Sequence, residues 1–423
     1  MSRVVPGEIA ARPAPVAQST GRRALIAFAN PNYRIYFFGQ FGSQTGSWLQ
    51  RTAQAWLVLV DLQGSPAALG LLTALQFAPI TVLTLFGGVV ADRVPRRRLL
   101  IVIQTISSVQ AITLAVLTLS GAIQLWHVYV LAFILGVVSA FDFPTRQSFV
   151  SELVSRDELQ SAISLNSSVF NGARILGPGI GGLIIAAWGI GWCFALNAVG
   201  FLAVLTSLAL LDTRRLHETR RGPRGALWTQ LADGLRYAAR QPRLRFTILV
   251  LAFIGTFGYN FGVVLPLLAR QALGLDSVGF GSLNTAMGIG SLVAALGVVA
   301  RLTPTDRGVL LAGGVFSVLL LVVAFVPWYA VLLIVLVGLG LANVSYSALT
   351  NTTLQLYSDE AYRGRVLSLY TLLFAGTTPI GGALTGWLAD AWGIRAALAL
   401  EAGVCILAAV GGAVYLGWRS RRA

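Results

Sequence analysis

Gly177-Pro-Gly-Ile-Gly-Gly182, followed by Ala187-Trp188-Gly189-Ile190, returns in the second half of the chain as Gly381-Gly-Ala-Leu-Thr-Gly386 followed by Ala391-Trp392-Gly393-Ile394. The same offset aligns Ser164-Leu165 with Ser368-Leu369, and Ala195-Leu-Asn-Ala198 with Ala399-Leu-Glu-Ala402. Near the front of each half, Pro31 and Arg34 echo Pro242 and Arg245. A constant offset over so many positions marks an internal duplication, and that decides the architecture before any single element is assigned. Outward from the repeat, apolar segments lie roughly at 34–60, 66–91, 99–120, 126–147, 160–187, 191–212, 244–270, 277–300, 308–327, 330–352, 364–390 and 394–418, each near the length that a bilayer requires. The fold class read from them is all-α: a polytopic membrane protein with 12 transmembrane helices in two pseudo-symmetric six-helix bundles, arranged as parallel repeats about an axis along the membrane normal.

Composition agrees. The 423 residues are 56% hydrophobic and 11% charged, too apolar for a soluble chain of this length. All 31 basic residues are arginines, and they collect in alternate gaps between the apolar segments. One face receives Arg93 to Arg98, Arg214 to Arg245, Arg363, Arg365 and both ends of the chain, while the turns near 61–66, 120–126, 187–192 and 326–330 carry none. Arginine-rich loops mark the cytoplasmic side, so the reading is a multi-pass protein of the inner cell membrane with both termini cytoplasmic. The net charge of +15 is then topology beside anionic lipid rather than a nucleic-acid surface.

Five segments follow: a disordered cytoplasmic arm over 1–30 with no cleavable targeting peptide, a first bundle over 31–212, a connector over 213–243, a second bundle over 244–418 and a tail over 419–423. In the connector Leu227, Leu231 and Leu235 recur every fourth residue, which predicts a short amphipathic helix on the inner membrane surface. The loops near 148–160 and 353–363 are expected to run along the same surface. Cys193 and Cys405 are far apart within spans, so neither a disulfide nor a metal site is expected. No catalytic or nucleotide-binding motif occurs, which points away from an enzyme and from any cofactor.

Polar residues inside the spans are the functional candidates, because a charge in the membrane normally faces a cavity or a partner. Arg51, Arg174 and Glu401 are three such charges. Arg174 is placed to meet an anionic or oxygen-rich substrate or to respond to a proton. Glu401, standing where the repeat has Asn197, is placed to carry a proton, or simply to hydrogen-bond or pair with an arginine. Gln40, Ser43, Gln44, Ser47, Gln50, Arg51 and Gln54 recur at steps of three and four as a polar stripe on the first span, suited either to a cavity or to helix-to-helix bonding. Phe257, Tyr259, Asn260 and Phe261 give the seventh span a similar mixed surface. Gly172, Gly177, Gly181, Gly288, Gly376 and Gly382 allow close helix approach.

The loop Gly88-Val-Val-Ala-Asp-Arg-Val-Pro-Arg-Arg-Arg98 resembles the signature of the major facilitator superfamily, with Gly88, Asp92, Arg93, Arg96 and Arg97 matching in order and Pro95 replacing a second glycine. The resemblance implies a latch between the halves in the outward-open state, held by Asp92. In the second half Arg301 stands at the corresponding place, so that copy is degenerate. Asp142-Phe-Pro-Thr-Arg146 is similar to an element of the siderophore- and macrolide-exporting branch; Arg146 is either a partner for Asp92 or half of a local helix-end pair with Asp142. Gly172, Gly177, Pro178, Gly181 and Gly182 match the glycine-proline helix of the superfamily's drug antiporters, which implies export. The expectation is a secondary transporter that exports an amphipathic small molecule by proton antiport and rocker-switch exchange, acting as a monomer with substrate, protons and membrane lipid as its only partners. An importer of a small nutrient and a non-transporting receptor on the same scaffold stay open as alternatives.

Overall fold

In a computed structural model of the chain, residues 25–217, 227–374 and 376–420 are described. Most of the expected N-terminal arm, the middle of the connector and residues 421–423 lie outside them. Among the described residues the secondary structure is helical, with no strand. The first bundle holds α1 (Pro31–Trp56), α2 (Pro66–Arg93), α3 (Arg96–Leu119), α4 (Leu125–Leu153), α5 (Leu159–Trp188) and α6 (Ile190–Leu210). The connector helix is α7 (Leu227–Arg240). The second bundle holds α8 (Pro242–Gly258), α9 (Phe261–Leu267), α10 (Ser277–Val293), α11 (Asp306–Phe325), α12 (Tyr329–Leu356), α13 (Glu360–Phe374), α14 (Thr378–Trp392) and α15 (Ile394–Ser420). Two passes that the sequence presents as continuous are each built from two helices, α8 with α9 and α13 with α14. Helix α4 overruns its expected end and continues to Leu153, so the loop expected from 148 is helical for its first turn.

Among the described residues eleven helical stretches are long and apolar enough to cross a membrane; α1 has the length without the hydropathy, because of its glutamines and serines. It packs against α5 and α6 inside the first bundle all the same. Large apolar residues such as Val102, Val109, Val116, Ile334 and Leu407 are exposed on the helix exteriors, as lipid contact requires. Trp126, Trp188, Trp192, Trp328, Trp387 and Trp392 are exposed at the arginine-poor end, an interfacial aromatic belt.

Local chemistry sets the helix ends. Asn30 accepts from the backbone N–H groups of Asn32 and Tyr33, with Pro31 in the first turn of α1. Ser65, Asp276 and Thr305 cap α2, α10 and α11 in the same way. The repeated Trp-Gly-Ile is the turn between α5 and α6 and between α14 and α15, where Gly189 and Gly393 have φ of +93° and +80°. Both copies need glycine, since side chains rarely adopt that conformation.

The other repeated element, the glycine-rich face, joins the halves. On α14 it lies against α2: a Cβ at Gly70 would sit 2.8 Å from the Gly382 carbonyl oxygen and 3.0 Å from Gly386 Cα. On α5 it lies against α10: a Cβ at Gly281 would sit 2.8 Å from the Pro178 carbonyl oxygen, and Ser277 Oγ donates to the Gly182 carbonyl at 3.0 Å. Trp56 stacks on Phe280 beside this seam at 5.3 Å. Both seams belong to the arginine-poor end. Toward the arginine-rich end they run out, and a Cβ at Gly172 or Gly88 would meet nothing within 4 Å.

The connector helix does not lie free on a surface but docks on the second bundle. Tyr237 stacks on Tyr362 at 4.2 Å, its hydroxyl accepts from the Asp359 N–H at 3.0 Å, and Asp233 faces Arg365 at 3.9 Å. Leu235 is exposed, and the side chains of Leu227 and Leu231 lie outside the described residues.

Gly290 and Gly340 carry the closest backbone approach within the second bundle, each against a carbonyl of the facing helix. Gly340→Val is expected to cost about 3 kcal/mol or more by overpacking. Gly314→Val, where nothing lies within 4 Å, is expected to be tolerated. Thermal unfolding of the purified variants checks the contrast.

Candidate functional site

From the first bundle, α1 and α5 carry the polar candidates, and α5 packs against α10 of the second bundle. The polar stripe of α1 spans an arc wide enough to face two ways. Gln40, Ser43, Gln50 and Gln54 are buried inside the first bundle. Gln50 Nε2 donates to Gln110 Oε1 at 3.2 Å, and Asn197 Nδ2 donates to Gln50 Oε1 at 2.7 Å, tying α1, α3 and α6 together. On the other edge of the arc, Gln44, Ser47 and Arg51 are half-buried. The Arg51 guanidinium sits 5.1 Å from the Trp48 ring centroid and 5.5 Å from that of Phe77, with no carboxylate at ion-pair distance among the described residues. Aromatic faces stabilise a cation where no anion is available. The stripe therefore divides between a buried hydrogen-bonded network and a half-buried edge that carries Gln44, Ser47 and Arg51.

Arg174, half-buried on α5, likewise has no carboxylate partner among the described residues, and lies near enough to Tyr259 of the other half to interact electrostatically. Tyr259 and Asn260 form the break between α8 and α9. Asn260 Nδ2 donates to the Thr256 carbonyl at 2.8 Å, while its buried Oδ1 has no partner. Around the break Tyr259 packs on Phe374 at 4.7 Å, Phe316 at 5.3 Å and Phe261 at 6.3 Å. Interrupted helices with loose backbone polarity are where transporters of parallel or inverted repeats place their binding sites. Sequence reading treated this pass as unbroken; the only hint was Gly258 followed by two polar residues in an apolar run.

Glu401 is fully buried on α15, the one carboxylate so placed among the described residues. Its Oε1 lies 2.5 Å from Thr385 Oγ1, which is also 2.8 Å from the Gly381 carbonyl oxygen, and its Oε2 has no partner. A hydroxyl has one proton and donates to only one of two acceptors. If that proton goes to Gly381, the short contact is satisfied only by a protonated Glu401 donating to Thr385. The repeat already signalled the position, since Asn197 at the matching place is also fully buried and polar.

At the arginine-rich end, the signature residues are stitched into the first bundle. Arg96 is half-buried and pairs with Glu152 at the end of α4 and with Asp92 at 3.6 Å. Arg97 Nε donates to the Leu208 carbonyl at 2.7 Å, closing the last turn of α6, where a cation suits the helix dipole. The Asp92 side chain is 48% exposed, and Arg93 is exposed. Arg146 is not the partner of Asp92: its Nε donates to Asp142 Oδ2 at 2.5 Å, and Gln104 Nε2 donates to Asp142 Oδ1 at 2.9 Å. With helix α4 continuous through Pro144, the four-residue spacing is enough to favour the local pair. Gly88 meets no neighbour, Gly172 faces the open side of α5, and Gly177, Pro178, Gly181 and Gly182 are buried against α1 and α10. Glu152 and Thr385 were not singled out in the sequence, for each is defined by a partner on another helix.

Known proteins resemble the chain along most of its length. Residues 23–420 match the family model described as transmembrane secretion effector. The chain is 28% identical over 395 residues to the multidrug efflux pump Tap of Mycolicibacterium fortuitum, covering 90% of this chain and 95% of that protein. It is 27% identical over 371 residues to the staphyloferrin A transporter of Staphylococcus aureus, covering 85% and 90%. In fold it is similar to a bacterial homologue of the human lysosomal transporter Spinster in an inward-facing, unoccupied conformation, with a TM-score of 0.70, 15% identity, and coverage of 90% and 96%. A match over nearly the whole chain, with the two bundles and the Gly88-to-Arg97 signature in place, makes this chain a member of the transmembrane secretion effector family of major facilitator transporters, and not an enzyme.

Proposed function

We propose that the protein exports an amphipathic small molecule of drug or siderophore type by proton antiport, with the two bundles rocking about the glycine seams. The observation that carries this reading is the one-sided closure: backbone-to-backbone seams at the arginine-poor end and separate, within-half ion pairs at the arginine-rich end. With the arginines cytoplasmic, as in an inner-membrane protein with both termini inside, the cleft is open to the compartment from which an exporter loads. The similarity to a multidrug efflux pump and to a siderophore transporter supports the substrate class.

Each candidate residue has a role in this cycle. Arg51, Arg174, Gln44 and Asn260 offer donors and acceptors between aromatic faces, suited to an oxygen-rich or anionic group on an otherwise apolar compound. Glu401 takes the proton: its neutral form fits the buried Thr385 contact, and its charged form demands water or a cation, so protonation and conformation are linked. Asp92, half-exposed here, is free to receive a helix end or donor of the other half when the arginine-rich end shuts. Arg96 and Arg97 hold that loop against α4 and α6, Asp142 and Arg146 pair beside it, and Gly88 and Arg93 are left open for contacts of the shut state. Gly172, Gly177, Pro178, Gly181 and Gly182 keep α5 thin enough to pivot. No oligomer is required, since both seams are internal to one chain.

The reading is tested by efflux of lipophilic dyes, macrolides and siderophores from cells containing the protein, with and without a protonophore. Protonophore-sensitive efflux is expected; accumulation of the same compounds would reverse the direction. In proteoliposomes, Glu401→Gln is expected to lower pH-driven net flux about tenfold while substrate exchange without net proton movement continues. Unchanged pH-driven flux removes Glu401 from coupling. Asp92→Asn is expected to reduce turnover roughly tenfold, the scale of a typical conformational coupling energy, with membrane insertion and substrate binding retained.

A further inference from the structure

The duplicated halves differ on one flank, and the difference is a groove. In the first bundle α1 and α6 touch backbone to backbone: a Cβ at Gly39 would lie 2.6 Å from Ser207 Oγ and 3.2 Å from Val204 Cα, and Leu208 is fully buried. Aligned by the Pro31/Arg34 and Pro242/Arg245 match, Gly39 and Gly42 correspond to Val250 and Phe253 on α8; by the later repeat, Ser207 and Leu208 correspond to Gly411 and Gly412 on α15. Bulk has moved onto one helix while the facing helix is bare. The result is a cavity of about 460 Å³ between α8 and α15, bounded by Arg245, Leu249, Phe253, Leu407, Gly411 and Tyr415.

The groove opens outward, away from the cleft. Leu249, Phe253 and Leu407 are exposed at 53%, 46% and 71%, whereas Leu244, Leu251 and Ile254 on the inward faces of α8 are buried. A Cβ at Gly411 would meet nothing within 4 Å, so the floor of the groove is unfilled. At its arginine-rich end Arg245 is exposed, donates from Nη2 to the Tyr415 hydroxyl at 3.2 Å, and lies 6.0 Å from the Tyr415 ring centroid. Among the described residues no carboxylate is within ion-pair distance of it, unlike neighbouring Arg243, which faces Asp306 at 3.4 Å.

We propose that this groove is a binding site for an anionic phospholipid of the leaflet at the arginine-rich face, one acyl chain lying along Leu249, Phe253 and Leu407 and the phosphate meeting Arg245 and the Tyr415 hydroxyl. An apolar trough that ends in an unpaired guanidinium at headgroup depth matches that chemistry at both ends, and basic pockets between membrane helices on this side hold anionic headgroups. A zwitterionic lipid fits the trough but brings its own cation to the arginine. The Tyr415 contact holds the guanidinium at the mouth in place of a carboxylate that would neutralise it.

Native mass spectrometry of the purified full chain in detergent, titrated with phosphatidylglycerol or phosphatidylcholine, tests the site. The wild-type protein is expected to retain one phosphatidylglycerol with about tenfold preference over phosphatidylcholine. Arg245→Gln is expected to reduce that preference to near parity. Gly411→Leu, which fills the groove, is expected to lose the retained lipid of either kind. Both variants are judged only where thermal unfolding and dye transport match the wild type. No preference in the wild type, an unchanged preference in Arg245→Gln, displacement of the lipid by transported dyes, or loss of a dimer in Gly411→Leu would each overturn the assignment, the last two in favour of substrate or a second copy of the chain as occupant.

Discussion

The two halves meet along two seams where glycines bring the helix backbones close. Along α2 against α14 and α5 against α10, glycines face backbone carbonyls and glycine Cα atoms at distances that exclude a Cβ. Such a contact has little in it to lock: dispersion worth about 0.1–0.2 kcal/mol per atom pair, and a hydrogen bond such as Ser277 to Gly182 worth about 1 kcal/mol. A smooth seam of this kind tolerates a change of angle that interdigitated side chains would resist. The rest of the arrangement depends on it. The seams can close one end only because the ion pairs at the other end, Arg96 with Glu152 and Asp92, Arg146 with Asp142, and Arg243 with Asp306, are satisfied within a half.

A second constraint is the cost of charge in an apolar interior, and the molecule meets it in three ways. Arg146 is paired with a carboxylate four residues away. Arg51 rests between two aromatic faces. Glu401 has one hydroxyl, that of Thr385, shared with the Gly381 carbonyl, and one carboxyl oxygen without a partner. The last two are the groups on which binding and coupling rest in the proposed cycle.

Much of the fold was legible because it is written twice. The repeated Trp-Gly-Ile proved to be a turn at positive φ in both halves, and the repeated glycine face proved to be the seam, so the repeat carried physical necessity at both of its ends. Helix limits set by the caps Asn30, Ser65 and Thr305 came with the structure, since apolar spacing alone gave only approximate span ends. What periodicity did not reveal were features made between helices. The break at Tyr259–Asn260 needs the aromatic cluster of Phe316 and Phe374 to hold it. Of the two partners that the sequence left open for Arg146, the structure has Asp142, four residues away on the same helix, rather than Asp92. The stripe on α1 divides between a buried network and a half-buried edge because its arc is wider than one contact face, which spacing alone does not distinguish. Glu401 stood out in the sequence as a departure from the repeat, yet its hydroxyl partner emerged only with α14 in place.

The central claim is that the halves turn about the seams as two bodies. Spin labels at exposed Arg98 and Arg363 on the arginine-rich ends, and at Gln63 and Gln271 on the opposite ends, allow pulsed electron-spin resonance distances across both mouths of the cleft. On acidification or addition of a transported compound, the account predicts that one distance shortens as the other lengthens. Two distances that stay fixed, or that move in the same direction, would contradict it.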